Sequence, residues 1–102
     1  MKNLFTIASA VVVLGLATNL HAADVNAGKG KAAGCTSCHG LAGVSSNPMY
    51  PNLAGQKEGY LMKAIKDYRD GHRKDAMMEG MVKGTSDADV ADIAAYFASL
   101  KP

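Results

Sequence analysis

Apolar positions recur at helical spacing in two stretches of the chain and crowd together in a third. Between Ser86 and Leu100 the order Val90, Ile93, Ala94, Phe97, Leu100 keeps to one face of a 3.6-residue period. Ser86-Asp87-Ala88-Asp89 before it has the form of a capping box with Asp in place of Glu. An amphipathic helix running to about Leu100 follows. Residues 57–70 place Leu61, Ala64, Ile65 and Tyr68 on one face, and Gly71 ends that helix. Residues 24–34 read as a short helix with Asp24 as N-cap. The stretches 40–56 and 71–85 are rich in Gly and in turn-forming or charged residues, and read as long loops. No segment alternates convincingly with a strand period. The pattern predicts an all-α domain of about three main helices joined by loops long for its size.

The crowded apolar stretch comes first. Lys2 precedes an almost wholly apolar run from Leu4 to Leu16, then a more polar segment ends in Ala22-Ala23. That order is a secretory signal peptide, with cleavage expected after Ala22, so that residues 1–22 leave and 23–102 form the domain. The run falls short of the roughly 20 residues that cross a bilayer, which argues against stable membrane insertion. Export places the domain in the periplasm.

What remains is small, without tryptophan and with only 6% aromatic residues across the chain. A core of that inventory supplies little stability by itself, so a staple is expected. A disulfide between Cys35 and Cys38, the only cysteines, would close too short a loop to serve. Charge adds one exclusion: acidic and basic residues are interspersed and nearly balanced, so nucleic acid is not an expected partner.

The chemistry is concentrated in GCTSCHG at residues 34–40. A thiol–disulfide oxidoreductase would need a strand before the cysteine pair, and none is predicted. A closed zinc site would need the adjacent Cys38 and His39 on one tetrahedral ion, with His72 as the remaining histidine, an awkward spacing. C-x-x-C-H is the attachment signature of c-type haem, and it uses every residue of the run. On a helix, positions i, i+3 and i+4 share a face, so Cys35 and Cys38 can bond one porphyrin edge while His39 reaches the iron. For the opposite side of the iron the candidates are His72 and Met49, Met62, Met77, Met78 and Met81. His72 lies in a charged, Gly-rich loop that reads as solvated surface. Three methionines crowd the loop MMEGM, and a thioether ligand from that loop explains them economically.

CTSCHG, YPNLAGQ and MMEGMVKGTSDADVADIAAYFASL, in that order, resemble the class I bacterial cytochromes c. The likeness covers nearly all of residues 24–100 and extends to short monohaem cytochromes and to single lobes of the di-haem kind. It implies the cytochrome c fold around one covalently bound haem c. It also implies Met78 as the sixth ligand, Met77 and Met81 being neighbours that the spacing does not exclude. Further implied roles are a hydrogen bond from His39 to the Pro51 carbonyl, packing of Leu53 on the haem, and close approach of Tyr96 or Phe97 to Gly28. Six ligands leave no open position, so the resemblance implies an electron carrier and not an enzyme. Its redox partners would be proteins such as a membrane cytochrome complex, a terminal oxidase or a periplasmic reductase. The alternative is a haem enzyme or gas sensor with an open sixth position.

Overall fold

The computed structural model describes residues 8–11 and 22–102. Apart from 8–11 and Ala22, the expected leader lies outside the described residues. Five helices follow one another in the described part: α1 (Val25–Lys31), α2 (Ala33–His39), α3 (Glu58–Asp70), α4 (Ala76–Val82) and α5 (Asp87–Ser99). Among the described residues there is no strand. None of these helices is long and apolar enough to cross a membrane.

Several of the helix ends are set by a residue suited to the position. The Asp24 carboxylate accepts the N–H groups of Asn26 and Ala27 at 2.8 and 3.1 Å and starts α1. The Ser86 hydroxyl accepts from the Asp89 N–H at 3.1 Å and starts α5. Gly71, at φ 83°, takes the left-handed conformation that stops α3. Residues 24–34, expected as one helix, are instead divided. The chain bends at the fully buried Ala32, and α2 then carries the whole Cys-x-x-Cys-His run.

The expected loop 71–85 is corrected over Ala76–Val82, which is helical. Gly80 and the charged flanks hide this helix from a propensity reading. Asp75 caps it, and Val82, only 7% exposed, anchors it on the side facing α3. A seven-residue helix has little stability alone, so packing decided its existence.

Helix α5 is the axis of the domain, with α1 against one side and α3 against another. Val90, Ile93, Ala94, Ala95, Tyr96 and Phe97 are all buried on it, a wider band than a single amphipathic stripe. The crossing of α1 over α5 is made at Gly28. A Cβ there would overlap the Asp92 carbonyl oxygen and lie 2.9 Å from Tyr96 Cβ. Tyr96 is thus at the crossing, with Asp92 nearer still than the expectation of Tyr96 or Phe97 allowed. Asp92, fully buried, joins the pair: its carboxylate accepts from the Asp24 N–H at 2.8 Å and from Lys31 Nζ at 2.7 Å.

The segment 40–57 is irregular but tied down. The Gly43 carbonyl accepts from the N–H groups of Leu53 and Ala54 at 2.8 and 2.9 Å, and the Gly55 N–H donates to the Phe97 carbonyl at 3.0 Å. This loop and α2–α4 enclose one side of the core and leave a cavity between them.

Candidate functional site

Helix α2 presents Cys35, Cys38 and His39 to a cavity of about 660 Å³, and all three line it. That size is in the range that takes a cofactor-sized molecule. Leu61, Ala64 and Ile65 of α3 and Ile93 and Phe97 of α5 supply apolar walls. Met77, Met78 and Met81 of α4 complete the enclosure.

His39 is 7% exposed, and its Nδ1 lies 2.8 Å from the Pro51 carbonyl oxygen. A carbonyl oxygen only accepts, so Nδ1 carries the proton and Nε2 keeps its lone pair. The imidazole is therefore oriented and made more basic, as a metal-binding histidine requires. Tyr50 sits beside it, with ring centroids 6.3 Å apart. Pro51 and Leu53 both line the cavity, Leu53 half-buried and packed on the core cluster.

Cys35 and Cys38 are each half-buried and are not joined to one another. Burial pushes the Cys35 thiol up from its ordinary value. A thiol–disulfide catalyst needs the opposite shift, toward thiolate. The strand that such a motif follows is also missing, since α1 precedes it. Two thiols on one helical face beside an oriented imidazole, at the edge of an apolar cavity, suit a porphyrin bound by its edge and its iron.

The methionines are separated by their surroundings. Met62 packs on the core cluster and does not line the cavity. Met49 lines it but is 81% exposed. Met77 and Met81 are 58% and 52% exposed, whereas Met78 is half-buried. The Met81 methyl lies 3.3 Å from where a Cβ on Gly34 would stand, so that side chain is drawn toward α2. His72 is exposed and lies off the cavity.

Among the lining residues that sequence reasoning missed, three are instructive. Tyr60 is four residues before Ala64 and eight before Tyr68, a helical row that could have been extended upstream. Arg73 also lines the cavity, with its guanidinium 4.7 Å from the centre of the Tyr68 ring. Asp75 is the third. Neither Arg73 nor Asp75 had a signal, because both lay in what read as loop.

A helical domain with a Cys-x-x-Cys-His helix opening on a partly open apolar cavity defines a class of proteins that bind haem covalently. Residues 25–101 match the family model for cytochrome c, and the chain belongs to that family. Its cofactor is haem c, one covalently bound iron porphyrin, and Cys35 and Cys38 fit the attachment motif. The chain is 51% identical over 94 residues to cytochrome c4 of Pseudomonas aeruginosa, covering 91% of this chain and 47% of that one. It is 51% identical over 81 residues to cytochrome c-554(548) of Halomonas halodenitrificans, covering 76% of this chain and 98% of that one. The crystal structure of reduced recombinant cytochrome c4 from Pseudomonas stutzeri superimposes with a TM-score of 0.75 at 46% identity, over 78% of this chain and 47% of that chain. The chain thus spans about half the length of the cytochrome c4 relatives and nearly the whole of the shorter one.

Proposed function

We propose that this chain is a periplasmic electron carrier whose single c-type haem is six-coordinate, with His39 and Met78 as axial ligands. In this reading residues 1–22 are the export signal and 23–102 the mature domain. Cys35 and Cys38 hold the cofactor as thioethers along one edge. One observation carries the reading: both thiols, the Pro51-oriented His39 ring and half-buried Met78 line the same cavity.

When bound, the haem supplies a one-electron Fe(III)/Fe(II) couple. The protein's own residues do the rest. Pro51 holds His39 in one tautomer and orientation, so the ring need not reorganise when the charge on its partner changes. A soft thioether from Met78 favours Fe(II) over Fe(III) and raises the potential. Leu53, Leu61, Ile65, Ile93 and Phe97 exclude water from the site and lower its dielectric, which disfavours the more highly charged state. If His39 and Met78 both held the iron, no position would stay open for oxygen or peroxide, and the haem would supply electron carriage rather than catalysis. The exposed Met49, Met77 and Met81 form an apolar rim on which a redox partner can dock briefly over a small area. A membrane cytochrome complex, a terminal oxidase or a periplasmic reductase would suit such a rim.

The absorption spectrum of the purified holoprotein tests this. Sharp reduced α and β bands, with a weak far-red band in the ferric state from thioether ligation, are expected. A high-spin spectrum that shifts readily with carbon monoxide would establish the open-site alternative of a sensor or enzyme. Met78→Ala should abolish the far-red band and lower the potential while the haem stays attached. Retention of that band in the variant would transfer the ligand role to Met77 or Met81.

A further inference from the structure

Helix α4 is held by a single side-chain cap, and that cap reaches the residue on which the electron-carrier reading turns. Asp75 has extended backbone (φ −161°, ψ 113°), and its Oδ1 accepts the Met78 N–H at 3.0 Å. Its own carbonyl accepts the Glu79 N–H at 2.8 Å. Asp75 thus fixes the backbone at Met78 and at the next residue along. It also lines the cavity, on the same side as Met77 and Met78. Downstream, Val82 is the helix's buried residue, so α4 is anchored at its far end by packing and at its near end by Asp75. Met78 stands at the near end.

We propose that Asp75 is the positioning residue for the sixth ligand: by capping α4 it holds Met78 in place against release. This rests on Met78 being that ligand. Seven residues cannot keep a helical turn unaided, so loss of the cap frees the first turn, where Met78 lies, before it disturbs Val82. The population with Met78 released then rises. An external ligand that needs the vacated position binds more tightly by the same factor.

The test is imidazole binding to the ferric holoprotein, read as loss of the far-red thioether band. Removing an N-cap carboxylate is expected to raise the apparent imidazole affinity of Asp75→Ala about fivefold, within a range of about two- to thirtyfold. Asp75→Asn, which caps equally well, should stay within about twofold of the parent chain. Unchanged affinity in Asp75→Ala overturns the proposal. So does an equal shift in both variants, because the negative charge and not the cap would then be acting. If Asp75→Ala yields no holoprotein, hydrogen exchange at the Met78 amide of the parent chain decides. Protection supports the cap, and exchange at the rate of an unstructured peptide overturns it. A parent spectrum lacking the far-red band removes Met78 as ligand, and that result is distinct from a parent band that Asp75→Ala leaves undisturbed.

Discussion

Replacing Gly28 by alanine puts a methyl group where α1 lies on the backbone of α5. The added Cβ would overlap the Asp92 carbonyl oxygen and lie 2.6 Å from its carbon and 2.9 Å from Tyr96 Cβ, whereas ordinary contact begins at 3.4 Å. The helices would have to part by at least the 0.8 Å shortfall at the carbon, and by more at the oxygen. A backbone carbonyl inside a helix cannot rotate away, so the cost belongs at the upper end of overpacking, about 3 kcal/mol. Separation also stretches the bonds from the Asp24 N–H and Lys31 Nζ to Asp92, worth on the order of 1 kcal/mol each. Against this stands a gain of about 1 kcal/mol for alanine over glycine in a helix. The net loss is about 4 kcal/mol.

Gly30 is the internal control. It lies on the same helix, and a Cβ there meets nothing within 4 Å. Gly30→Ala should therefore stabilise by up to about 1 kcal/mol. Guanidinium unfolding of both holoproteins, followed by far-UV ellipticity, separates the two. With a slope of about 3 kcal/mol per molar, the midpoint of Gly28→Ala should fall by about 1 M while that of Gly30→Ala rises slightly. The reasoning is refuted if both variants move together, or if Gly28→Ala is as stable as the parent chain.

Two further predictions concern acid and the cofactor. Hydrogen bonds from Arg69 hold the Asp70 and Asp87 carboxyls below their ordinary value of 3.8, and one from Lys31 does the same for Asp89. Their folded-state values are depressed, so their contribution is fully present above pH 3.8 and is lost as pH falls through those values. The thermal midpoint should decline with acid in that window, and less steeply in Arg69→Met; equal slopes would show that the exposed pairs add nothing. Cys35→Ala combined with Cys38→Ala removes covalent attachment, leaving a core cluster of Ala32, Leu61, Ile93, Ala94, Tyr96 and Phe97 beside a vacant cavity of about 660 Å³. Without the haem, water meets the apolar walls of that cavity, and the small core that remains is at the size where a domain is marginal without a staple. Circular dichroism should show a largely unfolded chain, and native-like helicity without haem would contradict this.

Much of the site was legible because its chemistry is local in the chain. Cys35, Cys38 and His39 fall within five residues, and one helical turn suffices to bring them together. The ends of α3 and α5 were legible for the same reason, since Gly71 and Ser86 act on backbone groups within a few residues. The resemblance carried by YPNLAGQ pointed to Pro51, and the His39 bond to its carbonyl is in place at 2.8 Å.

Helix α4 was not legible, and neither were Asp75 and Arg73 as parts of the cavity. Seven residues, one of them glycine, are too few to hold a helix alone, and the burial of Val82 and the cap from Asp75 make them one. Asp92 shows the same limit from the other side. A carboxylate within the apolar run of α5 looks like an error of pattern until α1 crosses and places the Asp24 N–H and Lys31 against it. By itself, then, the sequence determined the helical class and the attachment motif, because these depend on neighbours in the chain, while Pro51 came only through the family resemblance. Tertiary structure alone decided which methionine is half-buried at the cavity, that Asp75 caps its helix and that the Asp92 backbone lies closest to Gly28. Those depend on contacts between segments far apart in sequence, where the energy lies in packing and in charges removed from water.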